Sequence, residues 1–151
     1  MKYAAFLRGI NVGGNSKVPM VDLKKLLEGL GFKEVKTLLN SGNVVFEADE
    51  SKGALVEKIE TALEKEFGFK IIVIIRTISE IQKLTDSDPF KQTKVNPSVR
   101  LYVTFLLEKE LFNVVDLTQK GTADLMKQID REYGKLSTTR NWNTLLKIVK
   151  I

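Results

Sequence analysis

The chain has 151 residues and a mass of 17.1 kDa, 43% hydrophobic and 28% charged, which fits one ordinary domain or two small subdomains sharing a core and excludes disorder of the whole. It has no cysteine and no histidine, so disulfides, zinc-finger sites, thiolate nucleophiles and Ser-His or Cys-His catalysis are excluded, and an acid or base must be a carboxylate, Lys, Tyr or a substrate group. A net charge of +5 and a pI near 9.3 favour acidic partners, although Lys and Glu interleave along the helices as on a solvated surface.

Tyr3 to Leu7 is short, apolar and bounded by glycines, which predicts a buried strand. The loop Leu7-Arg8-Gly9-Ile10-Asn11-Val12-Gly13-Gly14-Asn15-Ser16-Lys17-Val18-Pro19-Met20 follows. Its glycines permit positive φ or close approach to a ligand, Arg8 and Lys17 carry positive charge, and Pro19 presets a helical turn. Leu23, Leu26, Leu27 and Leu30 form the apolar stripe of a helix that ends near Gly31. Glu34 to Leu39 and Val44 to Ala48 read as a hairpin across Asn40-Ser41-Gly42-Asn43. Asp49 or Ser51 caps a second helix through Leu55, Ile59, Leu63 and Phe67 to Gly68, and Lys70 to Arg76 forms another strand.

This order, strand, helix, strand, strand, helix, strand, predicts an α+β fold with a ferredoxin-like βαββαβ N-terminal half and an antiparallel sheet. In that topology the loop after the first strand and the hairpin turn lie at one end of the sheet, so Arg8 to Val18 and Asn40 to Asn43 should converge beside the first helix's N-terminus. Ile71 to Ile75 shows no polar alternation, so the sheet's second face requires cover, and the rest of the chain is the candidate.

That rest begins with a short helix near Ser79 to Leu84 and a loop, Asp86 to Ser98, with Pro89 and Pro97. Val99 to Leu107 is a strand, and Glu108 to Leu117 is ill-defined, with Val114 and Val115 as a further strand. Thr122 caps a helix through Leu125, Met126, Ile129 and Tyr133 to Gly134, Lys135 to Thr139 is a strand, and Asn141 or Asn143 caps a last helix through Leu145, Leu146 and Val149. The expected division is a subdomain 1–76 and a second α/β subdomain 77–151 packed against it. No apolar run reaches the roughly 20 residues that cross a bilayer, which leaves the cytoplasm, away from membranes, as the expected location.

Three stretches, Leu7-Arg8-Gly9-Ile10-Asn11-Val12-Gly13-Gly14, Ser41-Gly42-Asn43-Val44-Val45-Phe46 and Thr138-Thr139-Arg140-Asn141-Trp142-Asn143-Thr144, together resemble the bacterial family catalogued as domain of unknown function 1697. The resemblance implies two ferredoxin-like α/β halves, the second abridged here. It implies no established activity. Members of that family are usually longer, and the shortfall falls between Leu107 and Gly121, which implies a lost edge hairpin or an omitted segment.

The first loop matches the opening glycines of a P-loop at positions 9 and 14, but Asn15-Ser16 stands where the phosphate-binding Lys and metal-binding Ser or Thr belong. Asn11 likewise occupies the second glycine position of the dinucleotide fingerprint. What remains is backbone N–H groups, two cations and a helix N-terminus, the ingredients of an anion site. Ligand-binding candidates are therefore Arg8, Gly9, Asn11, Gly13, Gly14 and Lys17 in the loop and Ser41, Gly42 and Asn43 in the turn, whose alternative reading is plain hairpin chemistry. Arg140, Asn141 and Trp142 join them by resemblance: Arg140 as a bidentate anion contact in preference to a partner of a surface carboxylate, Trp142 as a core residue in preference to a stacking surface.

The ligand expected is a small phosphorylated or carboxylated molecule or a nucleic-acid phosphate, without a metal and with no cofactor indicated. Nucleic acid has weak support, since the third strand lacks the RNA-recognition signature. A second hypothesis is group transfer or hydrolysis at the same site, with Lys17 as base, Ser41 or Thr139 as nucleophile and Asp22 or Glu47 nearby. A third is a protein-interaction module. Oligomeric state is not legible in the sequence.

Overall fold

The computed structural model describes residues 1–11, 17–39, 42–107, 109–116, 118, 128, 131–133 and 136–151. The chain divides into two compact units, Met1–Glu80 with Ile151 and Ile81–Lys150.

The first unit runs β1 (Lys2–Leu7), α1 (Met20–Gly29), β2 (Lys33–Leu38), β3 (Asn43–Glu47), α2 (Lys52–Phe67) and β4 (Val73–Thr77), and closes with the first residues of α3 (Ile78–Ser87). Its sheet order is β2-β3-β1-β4 with every pair antiparallel, the ferredoxin-like arrangement. Period 3.6 decides the helices: Leu23 and Leu27 of α1, and Leu55, Ile59 and Leu63 of α2, are buried against Tyr3, Ala5, Leu7, Val44, Phe46, Val73 and Ile75 of the sheet. Ser51 caps α2, its hydroxyl accepting from the Ala54 N–H at 3.5 Å, and Gly68 ends it with φ +81°, its N–H donating to the Glu64 carbonyl.

The other faces of β1, β3 and β4 carry Ala4, Phe6, Val45 and Ile74, all buried as well. Burial on both faces is why these strands lack polar alternation. β4 starts later than the apolar run suggests. The Ile72 carbonyl accepts from the Arg8 N–H at 2.9 Å, and the Val73 N–H donates to Glu60 Oε2 at 2.9 Å, so a side chain takes the place of a ladder partner at the strand's first residue. The edge strand β2 is interrupted by a register shift between Lys33 and Lys36, where Glu34 adopts φ +52°.

The second unit holds most of α3, then β5 (Val99–Phe105), β6 (Glu110–Asp116), β7 (Thr138–Asn141) and α4 (Trp142–Ile148). Its three strands, in the order β6-β5-β7, are antiparallel. The stretch that sequence leaves ill-defined is a full strand: β6 pairs residue by residue with β5 from Phe105↔Glu110 to Val99↔Asp116, and the Leu106 N–H donates to the Lys109 carbonyl at 2.8 Å to close the turn. β7 lies later than expected because pairing with β5 selects Thr138 to Asn141, and Asn141 then caps α4 by accepting from the Asn143 N–H at 2.9 Å. The helix expected over Thr122 to Tyr133 lies mostly outside the described residues; those described within it, 128 and 131–133, are helical. Among the described residues, no helix is long and apolar enough to cross a membrane.

Candidate functional site

The loop after β1 is built on three backbone devices. Gly9 (φ +68°) and Asn11 (φ +56°) take the left-handed conformation, which glycine adopts freely and asparagine tolerates. Asn11 then reaches across the loop. Its Oδ1 accepts from the Val18 N–H at 2.8 Å, and its Nδ2 donates to the Val18 carbonyl at 3.0 Å. On either side of this bridge Ile10 and Val18 are buried in the core.

The hairpin turn meets the base of the loop. The Leu7 N–H donates to the Gly42 carbonyl at 2.9 Å. Gly42 sits so close that a Cβ there would lie 2.8 Å from Ile10 Cδ1 and 2.9 Å from Leu7 Cβ, and its φ is +87°. Asn43, fully buried, donates from Nδ2 to the Leu38 carbonyl at 2.8 Å and closes the hairpin. The convergence of loop and turn expected from topology is therefore present at Leu7, Ile10 and Gly42. Gly13, Gly14 and Ser41 lie outside the described residues.

Arg8 is half-buried, and Gly9 and Lys17 are exposed. α1 begins at Met20 with no side chain capping it, and Asp22 lies in its first turn. The residues described at this end of the sheet, 7–11, 17–21, 37–39, 42–44 and 68–74, contain Arg8, Lys17 and Lys70 and no Asp or Glu, with Asp22 next along the chain in the first turn of α1. The acidic residue brought to β4 from outside them, Glu60, is engaged by the Val73 N–H. At the opposite end stand Glu47, Asp49 and Glu50, where the N-terminal ammonium donates to the Ala48 carbonyl at 3.0 Å. Glu47 is accordingly not a neighbour of the loop: it pairs with Lys2 at the far end of β3, roughly 13 Å along the strand from Asn43.

Arg140, Asn141 and Trp142 belong to the second unit. Arg140 is buried on β7, its Nη1 donating to Thr138 Oγ1 at 2.7 Å and to the Thr139 carbonyl at 3.0 Å. Loss of hydration pushes its pKa down to about 10, still well above neutral pH. Trp142 is 8% exposed and packs edge-on against Phe90 with centroids 5.1 Å apart, so it is a core residue. Thr139 Oγ1 shares a hydrogen bond with Thr104 Oγ1 at 2.8 Å, and Asn113 Nδ2 donates to Thr104 Oγ1 at 3.2 Å.

Sequence reasoning overlooked Val18, Ile10 and Leu7 as parts of this site. The signal for Val18 was an asparagine at the start of a glycine-rich loop whose far end re-enters the core. No pattern in the sequence marks the Gly42 contact. Among the described residues, no group of acidic side chains could hold a metal ion.

No curated protein matches the sequence. A solved structure of a conserved bacterial protein from Streptococcus pneumoniae is similar in fold, with a TM-score of 0.74 and 24% identity over 99% of this chain and 97% of that one. Residues 1–131 match the family described as "Protein of unknown function (DUF1697)", which takes in the first two motifs and leaves Thr138 to Thr144 outside. The chain belongs to this family.

Proposed function

We propose that the chain binds a small phosphorylated or carboxylated molecule at the loop end of its first unit, beside the junction of the Arg8–Val18 loop with the Gly42 turn. The observation that carries this reading is that the two segments are locked together at Leu7, Ile10 and Gly42, at an end of the sheet where Arg8, Lys17 and Lys70 stand and where Glu60 is engaged by the Val73 N–H. Two cations beside a helix start without a capping side chain favour negative charge, and Asp22 in that helix's first turn is the acidic residue set against it.

Titration of the 15N-labelled chain with inorganic phosphate tests it. The expected result is saturable shifts of the Gly9 and Lys17 amides, weakened about tenfold in Arg8→Ala and less in Lys17→Ala, because guanidinium binds an oxyanion through two parallel hydrogen bonds and ammonium as a point charge. Unmoved amides would remove the reading. Parallel titrations with a mononucleotide and a single-stranded oligonucleotide distinguish a free phosphate from a nucleic-acid backbone, since only the latter gains steeply in affinity as salt is lowered.

A further inference from the structure

Asn11 is poorly placed as a ligand contact and well placed for another task. The carboxamide is a neutral group with a donor and an acceptor side by side, as in a peptide unit. Here it meets both the N–H and the carbonyl of one residue, Val18, at 2.8 and 3.0 Å, as a neighbouring strand would. A carboxylate would offer acceptors only, and a hydroxyl only a single oxygen. Its backbone at φ +56° is one that asparagine tolerates better than other side-chain-bearing residues. The bridge lies at the edge of the core, with Ile10 at 2% exposure directly before Asn11 and Val18 fully buried.

We infer that Asn11 is the clasp of this loop, a positioning residue that holds Val18 and thereby sets where Lys17 stands relative to Arg8. The inference deepens the anion-binding reading above and rests on it for its functional consequence. Closing a loop costs chain entropy, and a loop already closed spares the ligand that cost. Arg8 lies three residues before the clasp and Lys17 directly before Val18, so both cations are displaced relative to each other when it opens.

The test uses the whole chain and the substitution Asn11→Gly, which preserves the left-handed backbone and removes both hydrogen bonds. Unchanged amide signals of Ala4 to Phe6 and of Val44 to Phe46 certify that the sheet is intact. Two quantities are then read: hydrogen exchange of the Val18 amide, and inorganic phosphate affinity from the Gly9 amide shift. Val18 exchange should rise about tenfold or more on losing two hydrogen bonds, and phosphate affinity should fall about three- to tenfold. Arg8→Ala should weaken phosphate with Val18 exchange unchanged, which separates loss of a contact from loss of the clasp. Unaltered Val18 exchange in Asn11→Gly overturns the inference, and so does faster exchange with unaltered phosphate affinity. If phosphate leaves the wild-type amides unmoved, the anion reading itself fails and Val18 exchange alone decides whether Asn11 is the clasp.

Discussion

At the scale of single residues, the site contains two glycines in the same backbone region with different reasons for being glycine. Gly9 (φ +68°) has nothing within 4 Å of the place a Cβ would occupy, so Gly9→Ala meets only the left-handed backbone penalty, about 1 kcal/mol. Gly42 has the same kind of penalty and a steric one, because a Cβ would press on Ile10 and on Leu7 Cβ, which cannot swing away. Gly42→Ala should therefore cost roughly 2–4 kcal/mol, the sum of backbone strain and overpacking. Urea denaturation of the two variants side by side measures the difference, and equal midpoints would show that the contact yields freely. Arg140 is a second case in which surroundings decide chemistry. Its guanidinium pKa is pushed down to about 10 by burial, so the folded chain gives up that proton before the unfolded chain does. The unfolded state then holds more protons above pH 10, and stability conferred by this group rises with pH there, while below pH 9 it is flat. Chemical denaturation of wild type and Arg140→Met between pH 6 and 11 should show their difference constant up to about 9 and turning in favour of wild type beyond 10.

At the scale of elements, the helix starts differ in how well they are capped. Asn141 accepts from the Asn143 N–H at 2.9 Å, whereas the Ser51 hydroxyl lies 3.5 Å from the Ala54 N–H. Capping strength follows that geometry, so Asn141→Ala should cost about 1 kcal/mol and Ser51→Ala appreciably less, as read from thermal unfolding. α1 has no side-chain cap, and its start adjoins the loop that carries the cations. Among the strands, β6 is the edge of its sheet in the described residues and exposes Phe112 and Val114. Antiparallel pairing of two copies of β6 centred on Asn113 would set Glu110 against Asp116, and like charges opposite each other resist that register.

At the scale of the whole molecule, a relative of 24% identity reproduces the fold at a TM-score of 0.74, so the architecture depends on pattern more than on particular side chains. That pattern was legible here. Leucines at helical spacing placed α1 and α2, turn residues placed the β2–β3 hairpin, and the order of elements was sufficient to derive the β2-β3-β1-β4 sheet and the meeting of loop and turn. Periodicity is a local property, and topology follows from element order by general rules, so both are present in the chain before it folds. What only the tertiary structure decided is how individual polar residues are used. Asn11 and Asn43 read alike as ligand donors, yet each is engaged with backbone, at Val18 and Leu38, because a turn brings a particular peptide group within 3 Å. Glu47 left the loop's neighbourhood because β3 carries it to the far end of the sheet. Such assignments rest on differences of one or two ångströms between groups distant in sequence, and hydrogen bonding and steric contact are decided at that distance, which residue spacing along a chain does not encode.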